Sequence, residues 1–60
     1  MTDRQLAIIA LATQIKEDSN TIISNVLGKD FDAGACMDEV DAIRQAMYDL
    51  TTLMDEEAND

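Results

Sequence analysis

Few residues in this sequence are equipped for chemistry. Cys36 is the one thiol, and there is no histidine to serve it as a base. A thiol becomes a nucleophile only where a nearby cation or base favours the thiolate. Cys36 has Ala35 and Met37 beside it, so a small core hydrophobe is the better reading. The other cluster is acidic. Asp30 and Asp32 precede Gly34, and Asp38, Glu39 and Asp41 follow. A helix–loop–helix calcium site needs glycine at its sixth position and a bidentate glutamate at its twelfth. Counted from Asp30, those positions hold Ala35 and Asp41. Helix capping and solvation account for these acids better than a bound cation. No catalytic set, metal or cofactor is expected.

The elements that carry these residues are helical. The chain has no proline, two glycines near its middle (Gly28 and Gly34), and an apolar set dominated by Ala, Leu, Ile and Met. Such a composition favours helix over strand. Thr2 and Gln5 form a T-x-x-Q capping box, a helix start signal. Helix 1 is expected over about residues 3–27, with Gly28 as a left-handed C′ residue. The turn is expected over 28–32. Asp32 then caps helix 2, with Phe31 and Cys36 placed for a hydrophobic staple. A later start at Asp38 competes, because Gly34 near a helix start is costly. Helix 2 is expected over about 33–56, followed by a frayed acidic tail at 57–60.

Each helix has a narrow apolar stripe with steps of four and three. In helix 1 it is Ile8, Ala12, Ile15, Ser19, Ile22 and Val26, widened by Leu11 and Ile23. In helix 2 it is Cys36, Val40, Ile43, Met47, Leu50 and Met54, widened by Ala46 and Leu53. The short connection makes an antiparallel hairpin of two helices. The acidic C-terminus opposes its own helix macrodipole, but in a hairpin it lies beside Arg4 and the positive start of helix 1. Leu6, Ile9 and Leu27 fall off the stripe and read as scattered surface apolar residues, with a second contact patch for a larger assembly or a partner as the alternative.

Two helices alone leave each seam residue wet on its far side. A chain of sixty residues is also short for an independent core. Small scaffolds usually add a staple, a metal or a partner subunit. A lone cysteine excludes an intrachain disulfide, and without histidine a zinc site is disfavoured. Self-association is therefore expected, with a homodimeric four-helix bundle of coiled-coil type as the smallest closed solution.

The net charge is −9, from thirteen acidic and four basic residues. Such a surface repels nucleic-acid phosphates and anionic lipids, so neither is an expected partner. A basic protein surface suits it better. Asp38, Asp41, Asp49 and Glu56 face away from the stripe and form the expected acidic docking face. No basic, long apolar leader opens the chain, and Leu6 to Ala12 is too short to span a bilayer. A cytoplasmic protein with a reduced thiol is expected.

In length, in its opening Met1-Thr2, in the helix 1 stripe from Ile8 to Val26 and in the turn around Asp30 to Asp32, the chain resembles the Rop family. These are plasmid RNA-binding hairpins that dimerise into antiparallel four-helix bundles. The resemblance implies that architecture. The positions matching the family's RNA-contacting face are Asp3, Ala10, Gln14, Asp18 and Asn25. The family uses basic, amide and aromatic side chains there; Asp3 and Asp18 repel phosphate, and no aromatic is present to stack on bases. Three functions are thus carried forward. The first is a small acidic interaction or regulatory protein, suited to a phage or plasmid accessory role, that inhibits a basic or nucleic-acid-binding partner by charge mimicry. The second is Rop-type RNA binding. The third is a purely structural oligomerisation subunit.

Overall fold

A computed structural model describes residues 1–60. It contains two helices, α1 (Asp3–Leu27) and α2 (Ala33–Ala58), packed against each other as a hairpin. The hairpin is a flat rod, with Cα extents of 47 × 18 × 12 Å.

Both helix starts are capped by side chains. Thr2 Oγ1 accepts from the Gln5 N–H at 3.1 Å, and the Thr2 N–H donates to Gln5 Oε1 at 2.9 Å. Each bond satisfies a donor that the first turn leaves without an intrahelical partner. At α2, Asp32 Oδ1 accepts from Gly34 N–H at 2.9 Å and from Ala35 N–H at 3.3 Å. The helix therefore begins early, at Ala33, and Gly34 lies inside its first turn. An added Cβ at Gly34 would sit 3.3 Å from that capping carboxylate oxygen. At the two staple positions, Phe31 is half exposed and Cys36 is buried.

The exit from α1 differs from the sequence expectation. Gly28 has φ −76° and ψ 170°, extended rather than left-handed. Its N–H donates to the Asn25 carbonyl at 3.2 Å, tightening the last turn. The Asn25 side chain supplies the reason. Its Oδ1 accepts from the Asp32 N–H at 3.0 Å, across the whole turn. A chain tied from the end of α1 to the cap of α2 has its exit direction set by that bond.

The C-terminal end also differs. α2 continues through Glu57 and Ala58, residues expected to fray. Arg4 holds them. Its guanidinium lies 3.8 Å from Glu56 and 3.2 Å from Glu57, and it also donates to Asp60. Accepting oxygens on Asp60, then on Glu57, raise the pKa of Arg4 above its ordinary value. The antiparallel arrangement brings one helix's positive start beside the other's negative end.

The cap at α2 is open to a direct test. Asp32→Ala leaves two first-turn N–H groups without acceptors. It should lower unfolding stability by about 1 kcal/mol, read from the urea midpoint at fixed protein concentration.

Candidate functional site

The contact between the helices follows one heptad phase, written abcdefg with position a at Ile8, Ile15 and Ile22 in α1 and at Cys36, Ile43 and Leu50 in α2. Position d then falls on Arg4, Leu11, Asp18 and Asn25, and on Glu39, Ala46 and Leu53. Every one of these a and d residues is buried or half-buried. Only Ala46, 3% exposed, and Cys36, 8% exposed, count as fully buried. The hairpin seam is therefore an a/d seam.

The stripe read from sequence is the neighbouring a/e stripe, and the structure divides it. Its a residues Ile8, Ile15, Ile22, Cys36, Ile43 and Leu50 enter the seam, as does the flanking residue Leu11 at position d. Its e residues mostly do not. Ala12 is exposed, Val26 is 52% exposed, Met47 55% and Met54 48%. Ser19 and Val40 are half-buried. Ala12, Val26, Met47 and Met54, expected in the oligomer or core seam, thus lie outside the contact that the two helices of one chain make. The physical reason lies in the seam's ends. Arg4 and Asn25 are both d residues, and both make bonds that tie the helices together. With both bonds made, position d faces the partner helix and most of position e lies outside.

The two exposed flanks lie on the same side. Reversing a helix mirrors its wheel, so in an antiparallel pair the e positions share one side of the hairpin and the g positions share the other. The e side carries Ala12, Ser19 and Val26 from α1 with Val40, Met47 and Met54 from α2. The g side carries half-buried Ala7 and Ala42 together with exposed Gln14, Thr21, Asp49 and Glu56, so its exposed residues are mainly polar. One broad face of the rod is apolar, and nothing within the chain covers it.

Charge is divided between the helices. α2 holds seven acidic side chains against one arginine, whereas α1 holds three against two cations. The four residues of the expected acidic face are all exposed. They are not equally free. Glu56 neighbours Arg4, Asp41 lies 3.5 Å from Arg44, and Asp49 accepts from Gln45 at 3.3 Å. Asp38 makes no ion pair.

Polar seam residues are what the sequence reading passed over. Asp18 stands at a d position, and its Oδ2 is buried without a hydrogen-bond partner. Its place on the heptad was legible, but a stripe counted through Ser19 stepped past it. The same placement bears on the RNA-facing positions that the Rop resemblance implies. Asn25 is engaged across the turn and Asp18 is in the seam. Asp3, Ala10 and Gln14 stay exposed, leaving Gln14 as the one exposed amide of that set.

No three Cys, Asp or Glu side chains converge as a metal-binding group. An open groove of about 580 Å³ lies at the free ends of the helices, lined by Met1, Gln5, Ile8, Ile9 and Glu57. Its walls are mainly apolar, and Glu57 is already bonded to Arg4. No helix is long and apolar enough to cross a membrane. Comparison with protein families, curated proteins and solved structures finds no match to this chain.

The orphaned carboxylate gives a clear expectation. An unsatisfied buried acceptor costs about 1–3 kcal/mol. Asp18→Leu should therefore raise the thermal midpoint by an amount of that order, measured by circular dichroism at 222 nm. An unchanged or lower midpoint would mean that Asp18 has a partner in solution.

Proposed function

We propose that this chain is a protein-interaction module that works as a homodimeric four-helix bundle, with the acid-rich outer surface of α2 turned toward a basic partner. The observation that carries the reading is the apolar e side of the hairpin. A helix normally shows one apolar stripe toward its core. Here apolar residues occupy position a, most of position e, and position d at Leu11, Ala46 and Leu53, more than one helix neighbour can cover. A second hairpin laid on the e side would enclose the a residues of both helices at once. It would also cover Met47 and Met54, large apolar groups that otherwise meet water.

The room for such a contact is present. A standard protein interface buries about 800 Å² on each partner. The chain exposes 4526 Å² in all, and its broad side measures 47 × 18 Å between Cα extremes. One broad side is thus of the right size for a subunit interface, and the opposite side and the edges keep the charge.

The acidic half of the proposal rests on charge segregation. With seven acids on α2 and its g and f positions directed outward, a bundle of two copies would present two strongly negative strips. Such strips attract and orient basic surfaces and repel phosphate backbones. Inhibition of a nucleic-acid-binding protein by charge mimicry is the regulatory form this takes.

Self-association should appear as a dimer mass in sedimentation equilibrium across a dilution series. Met47→Glu places a charge in the centre of the apolar face. It should shift the protein to monomer and lower its melting temperature, whereas Thr52→Glu on the wet face should do neither. A cooperatively melting wild-type monomer would dispose of the proposal.

Docking through charge has its own signature. Partners held on the immobilised wild-type dimer should be released steeply as salt shortens the Debye length from about 10 Å at 0.1 M to about 3 Å at 1 M. Capture that ignores salt, or that survives Asp38→Lys combined with Asp49→Lys, would count against an acidic docking surface.

A further inference from the structure

Two symmetric ways exist to lay one hairpin on another while keeping all neighbouring helices antiparallel. A twofold axis along the rod places α1 over the partner's α2 and brings both turns to the same end. A twofold axis across the rod places α1 over the partner's α1 and sends the turns to opposite ends. We infer that a second copy of this chain covers the e side in the first way, with α1 against the partner's α2 and the two turns together. The inference rests on the dimeric reading above and adds its geometry.

Side-chain size is the first ground. On the e side, α1 presents Gln5, Ala12, Ser19 and Val26, while α2 presents Ala33, Val40, Met47 and Met54. Both Met47 and Met54 stand exposed as a ridge beside the small residues of α1. Helices pack by setting ridges into grooves, at 8–10 Å between axes for contacts of ordinary side chains. Over three of the four layers the same-end arrangement sets a larger residue over a small one: Met47 over Ala12, Val40 over Ser19 and Val26 over Ala33. The ion pairs at one end of the hairpin and the Asn25–Asp32 bond at the other bring Ala12 level with Met47, and Ser19 level with Val40. An axis along the rod preserves those levels between copies. Ala12 then lies under the partner's Met47, and Ser19 under the partner's Val40. In the central layers the opposite-end arrangement sets Ala12 on the partner's Ser19, small on small, and Val40 on the partner's Met47, large on large. That arrangement wedges the bundle open on one side, against the close packing of interiors.

Charge is the second and independent ground. α2 carries seven acids and one arginine; α1 is close to neutral. The opposite-end arrangement makes the two acidic helices direct neighbours. The same-end arrangement puts them on the diagonal, each flanked by two near-neutral helices. At physiological salt the Debye length is about 8 Å, so moving like charges from adjacent to diagonal positions removes much of their repulsion.

The test uses the unmodified protein. Its amines are few: Lys16, Lys29 and the amino group of Met1. Sedimentation equilibrium first establishes the mass. The dimer is then treated with a short amine-reactive cross-linker and digested, and the linked peptides are read by mass spectrometry. A Lys29–Lys29 link joins two copies by necessity and is the expected product. A Lys29–Met1 link spans the length of one rod, so it too must join two copies, and it is the product of the opposite-end arrangement. Spin labels on Lys29→Cys in a Cys36→Ala background give a second reading. With helix axes about 10 Å apart the same-end dimer should show a label separation of roughly 20–30 Å, against more than about 40 Å for turns at opposite ends of rods this long. A dimer showing the Lys29–Met1 link, or lacking the Lys29–Lys29 link, overturns this geometry and leaves self-association standing. A monomer, or a larger ring, overturns the geometry along with the dimeric reading.

Discussion

Two cylinders touch along a line, and a line of contact cannot enclose a side chain. That constraint governs this molecule. Its helices share a long seam, yet only Cys36 and Ala46 are fully buried. The isoleucines at position a are covered on one side and wet on the other. Hydrophobic stabilisation scales with apolar area removed from water, so a seam of this kind stabilises far less than its residue list suggests. Whatever else the protein does, its apolar arc has to be closed by something outside the chain or left partly hydrated.

The polar groups at the seam show how the hairpin is directed rather than how it is stabilised. Arg4 at one end and Asn25 at the other both occupy d positions and both bond across to the far helix or the turn. Exposed ion pairs contribute little stability. Geometry is a different matter. Bonds at the two ends of a rod fix its rotation about its own axis, much as two pins fix a plate. The consequence is that position d, which includes charged Asp18 and Glu39, turns inward, while the wholly uncharged e positions turn outward. The cleaner apolar flank is the one left available for association.

Function, on this reading, comes from a division between faces. The e side carries no charge and is mainly apolar, with small Ala12 and Ser19 on α1 level with larger Met47 and Val40 on α2. The outer surface of α2 is acidic. The single thiol is buried in the seam, and the open groove at the helix ends is lined by Met1, Gln5, Ile8, Ile9 and Glu57. The proposed recognition would use shape on one side and charge on the other.

The sequence by itself determined the helices, their caps and their pairing as a hairpin. Those features are local: the Thr2–Gln5 box, the Asp32 cap and the 3.5-residue apolar repeat each act within a turn or two of one helix. The same repeat also showed that each helix has an apolar arc, but not which half of the arc meets its neighbour. Ile8, Ile15 and Ile22 serve an a/d seam and an a/e seam equally well, so counting apolar residues favoured the cleaner a/e stripe. The tertiary structure decided for a/d, through contacts between residues far apart in the chain. Arg4 reaches Glu57, and the turn is short enough for Asn25 to reach Asp32. The extended conformation of Gly28 and the helical ending at Ala58 follow from those same two ties. Periodicity is a property of one helix, whereas its rotation toward a neighbour depends on which distant groups bond, and only the folded chain brings those groups together.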